Sequence, residues 1–290
     1  MVDVARKVIL DCGDNVKLAG YHSPQASAKA AVLLLHGWEG SADSAYMLHC
    51  GRYLYRKGFE IFRLNLRDHG ESHHLNEGIF HGALTDEVVA AAHNASALAG
   101  DKAFFIVGFS LGGNFALRIA LSHGETPIRG LRHVVCISPP LDPYKSTCRI
   151  DKGLFIYRYY FRKKWVQSLR KKQLSFPHLY DFEEILRLKN TLQMTDILVK
   201  QFTRFSGYRD YFNQYTLLGN VFSDLKIPVT AIVSEDDPVI SVKDFFELGE
   251  NPNLELIIHS HGGHCGFLDP FPFGCWYEPQ ICRIIEQYAG

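Results

Sequence analysis

The chain has 290 residues, 47% hydrophobic and 21% charged, a composition that suits one globular domain with room for an insertion. Its 31 basic and 31 acidic residues cancel, so no overall field draws it to nucleic acid, and any charged patch must be local. Seven scattered cysteines, an odd number with no C-x-x-C pair, fit a reducing compartment. The apolar run in the opening MVDVARKVILDCGDN is too short for a signal peptide, and none elsewhere nears the roughly 20 residues of a membrane span. A cytoplasmic location is the resulting expectation.

Residues 7–12 and 16–21 are short β-type runs parted by Gly13-Asp14-Asn15, the pattern of a hairpin. Next comes AAVLLL at 30–35, a continuous apolar run suited to a strand buried on both faces. Helix and strand patterns then alternate: a helix over 44–57, a strand over 60–66, a helix over 84–98, a strand over 103–107, a helix over 111–122 and a strand over 131–138. Such βα repeats predict a mostly parallel sheet with helices on both faces. After Pro139-Pro140 the rhythm stops. Residues 144–219 read as helical and polar, and alternation resumes over 227–233, 242–248, 254–259 and 277–288. The predicted organisation is a core of residues 1–143 and 220–290 carrying a helical cap insertion at 144–219.

In VGFSLGGN, at 107–114, Ser110 stands between Gly108 and Gly112 just past the carboxyl end of a strand, where a helix begins. Parallel sheets bind ligands at that end. A G-x-S-x-G turn there pushes the serine out of the sheet, and the helix it starts aims backbone N–H groups at whatever the serine attacks. The plainer alternative is a glycine-rich turn in which Ser110 only caps the helix. A free hydroxyl is a weak nucleophile, so catalysis demands a base and an orienting carboxylate from later strand ends, in the order Ser, Asp, His. VTAIVSEDDP at 229–238 offers Asp237, with Asp236 as the alternative one residue nearer the strand. LELIIHSHGGHCGF at 254–267 offers His264, because Gly262-Gly263 lets its loop bend inward, while His259 falls in the strand and His261 in the loop. Oxyanion donors are expected from the backbone N–H of Leu111 and from that of Trp38 in LHGWEGS at 35–41.

These segments resemble the α/β-hydrolase superfamily. LLLHGWEGS at 33, NLRDHGESHHLNEGIFH at 65, GFSLGGN at 108, SGYRDYFNQYT at 206, IPVTAIVSEDDPVI at 227 and SHGGHCGFLD at 260 look like its YheT-like (AB hydrolase 4) branch. GFSLGGN and HGW are common to many α/β-hydrolases, whereas GGHCGF, DDPVI and the segment from Gly207 to Tyr215 point to the branch. The resemblance implies an α/β-hydrolase fold and a serine hydrolase that needs no cofactor. It implies a carboxylesterase acting on small-molecule esters with Ser110, Asp237 and His264 as triad; it does not fix the acyl chain, for which a short to medium length is the expectation. A lipase or thioesterase on the same triad is the alternative, and a hydrolase fold kept as a non-catalytic binding module is the reading from another class.

The sequence departs from the family's pattern over 145–172, which is basic and aromatic. There Leu154, Tyr157, Phe161, Trp165 and Leu169 recur at helical spacing among Lys and Arg. The favoured reading is a cap helix whose apolar stripe faces the active site while its basic face is solvated. Membrane-surface contact through 153–172 is the second. His259-x-His261-x-x-His264 lacks the carboxylate that His-x-His metallohydrolases place within the motif, so no metal is expected. Arg67-Asp68-His69-Gly70-Glu71-Ser72 reads as a turn bracing the mouth of the site, with Asp68 or Arg67 in structural hydrogen bonds, and Cys265 as a small buried packing residue. Nothing in the sequence sets the oligomeric state.

Overall fold

A computed structural model describes residues 1–269 and 274–289. The predicted hairpin is present as β1 (Arg6–Asp11) and β2 (Lys17–Ser23), joined by three consecutive residues of positive φ, Gly13, Asp14 and Asn15. The alternation that follows is β3 (Ala30–Leu35), α1 (Ala45–Arg56), β4 (Glu60–Leu64), α2 (Thr85–Ala99), β5 (Ala103–Phe109), α3 (Leu111–Ser122) and β6 (Leu131–Ile137). Five helices come next: α4 (Pro143–Lys152), α5 (Phe155–Ser175), α6 (Glu183–Arg187), α7 (Thr191–Phe202) and α8 (Tyr208–Asn213). The chain then returns to the sheet as β7 (Val229–Ser234), α9 (Lys243–Phe246) and β8 (Leu254–His259). It ends with a short ribbon of β9 (Leu268–Asp269) with β10 (Gly274–Cys275), followed by α10 (Tyr277–Tyr288).

Eight strands form one sheet in the order β1-β2-β4-β3-β5-β6-β7-β8. Every pair from β4 to β8 is parallel, and the hairpin joins antiparallel at the β4 edge. The strict alternation of side chains along β3 divides the core. Ala31, Leu33 and Leu35 pack with α2 and α3, whereas Ala30, Val32 and Leu34 pack with α1 and α10. All six residues of β3 are buried, as its unbroken apolar run requires. The result is an α/β-hydrolase fold, with both faces of the sheet covered by helices.

The segment between β6 and β7 is fastened to α3 and to the loop after β4 by buried polar contacts. Asn114, in the first turn of α3, donates from Nδ2 to the carbonyls of Pro140 (2.8 Å) and Tyr215 (3.0 Å). The Tyr211 hydroxyl accepts from the Gly82 N–H at 2.8 Å, and Arg118 donates to the Gly82 carbonyl at 2.7 Å. On the other side the Lys172 ammonium, 1% exposed, donates to Asp68 Oδ1 (2.9 Å) and to the carbonyls of Asn76 (2.6 Å) and Gly78 (2.9 Å). Asp68 Oδ2 accepts from the Phe80 N–H at 2.8 Å. Burial still raises the Asp68 carboxyl to about 6, against the opposing pull of Lys172. Arg67 pairs with Glu87 beside it. The turn at 67–69 is thus a brace, and one of the lysines expected on a solvated face is its buried counter-ion.

Removing one partner of a buried ion pair leaves the other charged and unsolvated, at a cost of about 3–5 kcal/mol. Urea denaturation of Lys172→Met should show a loss of that size; a change below about 1 kcal/mol would mean the pair does not hold α5 to the loop after β4.

Candidate active site

Ser110 ends the turn out of β5 with φ 52° and ψ −121°, a strained conformation for a residue with a β-carbon. Its N–H donates to the Ile137 carbonyl at 2.8 Å, and its carbonyl accepts from Asn114 at 3.0 Å. The turn closes only because its neighbours are glycines. A β-carbon on Gly108 would run into the Gly112 carbonyl, and one on Gly112 into the carbonyls of Leu35 and His36 at the end of β3. That close approach also brings the loop after β3 to the serine: a β-carbon on Gly37 would lie 3.1 Å from Ser110 Cβ.

His264 reaches Ser110 from the loop after β8, with Nε2 2.9 Å from the hydroxyl oxygen. Its Nδ1 lies 3.0 Å from Asp237 Oδ2. The Asp237 carboxylate is 1% exposed, and its other oxygen accepts from the N–H groups of Val239 (2.8 Å) and Ile240 (2.9 Å). With both carboxylate oxygens engaged, the side chain can turn only by breaking a buried hydrogen bond. A hydrogen on Nδ1 directed at the carboxylate leaves Nε2 free to accept the serine proton.

The adjacent aspartate has a different place. Asp236 Oδ1 accepts from the N–H groups of Gly262 and Gly263, each at 2.8 Å, and lies 2.8 Å from the Ser234 hydroxyl. Those bonds, Gly262 first and then Gly263, pull the carboxyl down to about 2. Asp236 therefore clamps the loop that carries His264, while Asp237 touches the imidazole. From α4, Arg149 secures the loop after β7 by donating to the carbonyls of Asp237 (2.8 Å) and Pro238 (3.2 Å). No sequence signal distinguishes Arg149 from other basic residues of 145–172, because its partners are backbone atoms 88 and 89 positions away.

Around the loop after β3, two buried histidines act as neutral spacers. His36 Nε2 accepts from the Leu66 N–H at 3.1 Å, which leaves Nδ1 to donate to the Gly37 carbonyl at 2.7 Å. His69 Nε2 accepts from the Glu39 N–H at 3.2 Å. Burial holds His36 well below the usual histidine range and His69 at about 4. The Tyr46 hydroxyl accepts from Gly37 N–H at 2.9 Å. The N–H groups of Gly37 and Glu39 are thereby used. Among the described residues, no hydrogen-bond acceptor meets the N–H of Trp38 or of Leu111.

The other histidines of the motif at 259–264 separate. His259 packs against Trp276 with ring centroids 4.6 Å apart, and His261 is exposed beside Ser260. Cys265 sits behind Ser110 with its Sγ 3.8 Å from the Ile137 carbonyl, and burial raises its thiol far above the ordinary range.

Over Ser110 lies a cavity of about 800 Å³, counting its open mouth. Its walls are largely apolar and include Trp38, Leu111, Ile150, Leu198, Tyr211 and Val239. The Trp38 indole stacks on Phe161 (5.6 Å) and meets Trp165 edge-on (5.1 Å), both from α5. Of the five stripe residues of that helix, Phe161 and Trp165 line the cavity and Leu169 is buried in the core. Leu154, in contrast, is 64% exposed, because the start of α5 extends past the body it packs on.

The family model of the α/β hydrolase fold matches residues 30–271. The chain belongs to the α/β-hydrolase family. Among curated relatives, the phospholipase ABHD3 of Mus musculus is 25% identical over 98% of this chain and 68% of its own. YheT of Escherichia coli is 23% identical over 95% and 81%. The solved structure of the Pyrococcus furiosus esterase Pf2001 superposes with a TM-score of 0.62 at 18% identity, covering 99% of this chain and 93% of that one. This family member has the fold of that esterase, and a YheT relative as the sequence motifs implied.

Asp236→Ala should speed hydrogen exchange at the Gly262 and Gly263 amides, read by NMR, while leaving the sheet amides protected. Because its carboxyl is depressed from the usual 3.8 to about 2, the clamp acts fully above pH 4 and is lost as pH falls through 2. Unchanged exchange at both glycines in the variant would show that Asp236 does not hold the loop.

Proposed function

We propose that the chain is a carboxylic ester hydrolase that works through an acyl-enzyme, with Ser110 as nucleophile, His264 as general base and Asp237 as orienting carboxylate. The observation that carries this reading is the unbroken line of hydrogen bonds, 3.0 Å from Asp237 to His264 and 2.9 Å from His264 to Ser110, at the floor of an apolar cavity. Ser110 Oγ attacks the ester carbonyl carbon while His264 Nε2 takes the hydroxyl proton. Negative charge then collects on the carbonyl oxygen, and the unoccupied N–H groups of Trp38 and Leu111 receive it. When the carbon–oxygen bond to the alcohol breaks, His264 returns the proton to the leaving oxygen. Water, deprotonated by His264 in turn, releases the acid and restores Ser110.

An apolar cavity that contains the serine suits an acyl chain laid against Leu198, Val199 and Ile150, which we take to be of short to medium length. The names of the mouse phospholipase and of the monoacylglycerol lipase of Saccharomyces cerevisiae, 20% identical over 92% of this chain and 62% of its own, favour a lipid ester as the natural substrate.

Ser110→Ala should lower p-nitrophenyl acetate turnover by about 10⁶-fold and remove labelling by a fluorophosphonate, with circular dichroism unchanged. Asp237→Asn should lower kcat by about 10⁴-fold, since the imidazole loses the partner that fixes its tautomer. Wild-type protein that takes up no fluorophosphonate would favour the binding-module reading, and full labelling of Ser110→Ala would move the nucleophile elsewhere.

A further inference from the structure

The first two turns of α5 break the usual rule for a surface helix, which keeps its apolar residues on the inner face. Tyr157 and Phe161 pack inward against the core. On the outer side Phe155 and Ile156 are each 69% exposed, Tyr159 57% and Tyr160 52%, and Leu154 precedes them at 64%. A contiguous exposed patch of this kind marks a contact surface.

Its charge says what the surface would meet. Residues 152–180 hold eight basic side chains and no acidic one, in a chain whose total charge is zero. Lys171 and Lys172 are paired with Glu71 and Asp68, and Arg162 caps the carbonyls of Leu186 and Leu188. Lys152, Arg158, Lys163 and Lys164, which surround the patch, enter no ion pair among the described residues. Three of them lie over aromatic rings of the patch: Arg158 over Phe155 (5.7 Å), Lys163 over Tyr159 (5.9 Å) and Lys164 over Tyr160 (6.0 Å). Cations and aromatic side chains on one convex helix end, with aliphatic tips between them, match the headgroup boundary of an anionic bilayer. No helix among the described residues is long and apolar enough to cross a membrane, so contact through α5 would be at the surface.

We propose that the amino-terminal two turns of α5 dock on an anionic phospholipid bilayer and set the cavity mouth against it. Phe161, which lines the cavity, follows Ile156 by five residues, about 8 Å along the helix axis. An ester whose chain lies in the bilayer then has a short path to Ser110. This last step rests on the ester-hydrolase reading above; the docking itself does not.

The test is co-sedimentation of the full chain with phosphatidylcholine vesicles, with and without phosphatidylserine, at low salt. Binding is expected with phosphatidylserine, weaker by about tenfold without it, and reversed at about 1 M salt, where the Debye length is about 3 Å. Phe155→Ser with Ile156→Ser should reduce binding by about tenfold or more while circular dichroism and turnover of dissolved p-nitrophenyl acetate stay at wild-type values. Lys163→Gln with Lys164→Gln should reduce it on phosphatidylserine vesicles alone. Absence of wild-type binding, equal binding to neutral vesicles, or a dimer in light scattering that the Phe155/Ile156 variant abolishes without any vesicle binding would each overturn the proposal. Docking in a protein that takes up no fluorophosphonate would retain the surface and discard the enzyme, so the two failures are distinguishable.

Discussion

Everything at the candidate site depends on three backbones approaching more closely than side chains permit. The end of β3, the turn out of β5 and the start of α3 meet at Gly108 and Gly112, where a β-carbon would overlap carbonyl groups. Ser110, held between them at φ 52°, carries strain on the order of 1–3 kcal/mol. Hydrogen bonds to Ile137 and Asn114, at the buried ends of β5 and β6, keep it there. The same approach sets the Gly37 backbone beside the serine, so one packing constraint fixes both Ser110 and the loop after β3.

The parts of this arrangement that the sequence displays are those governed by local chemistry. Glycines at 108 and 112 are needed wherever a strand turns so tightly into a helix, and the apolar run of β3 can only belong to a strand covered on both sides. The starts of α3 and β8 could be read to the residue, because a glycine-flanked turn and a polar loop bound them sharply. In SEDDP, by contrast, the two aspartates are chemically identical and differ by one position, so sequence leaves both open. The geometry separates them: Asp237 faces His264 and the amides of Val239 and Ile240, while Asp236 faces the glycines of the next loop.

Helical periodicity was least informative in α5. Spacing shows which residues share a face, but the position of the body against that face is set by other elements. Trp165 and Leu169 obey the stripe because the loops after β3 and β4 lie beside them, whereas Leu154 is left exposed. Lys172 looks like any other residue of a basic run, and its burial follows from Asp68, 104 positions earlier. Long-range electrostatics of this kind leave no trace in a local window.

The helices between β6 and β7 are joined to the loops that hold Asp237 and Trp38. Arg149 of α4 binds the carbonyl of Asp237, and Phe161 and Trp165 of α5 enclose Trp38. Side chains that shape the cavity and backbone that would stabilise charge therefore move together or not at all, since tight packing resists independent displacement. Against this clamped frame, the first two turns of α5 carry a cluster of exposed apolar side chains, Phe155, Ile156, Tyr159 and Tyr160. A contact made there would reach Trp38 through a single stacked ring, Phe161, and so would act on the mouth of the cavity without disturbing the hydrogen bonds between Asp237, His264 and Ser110.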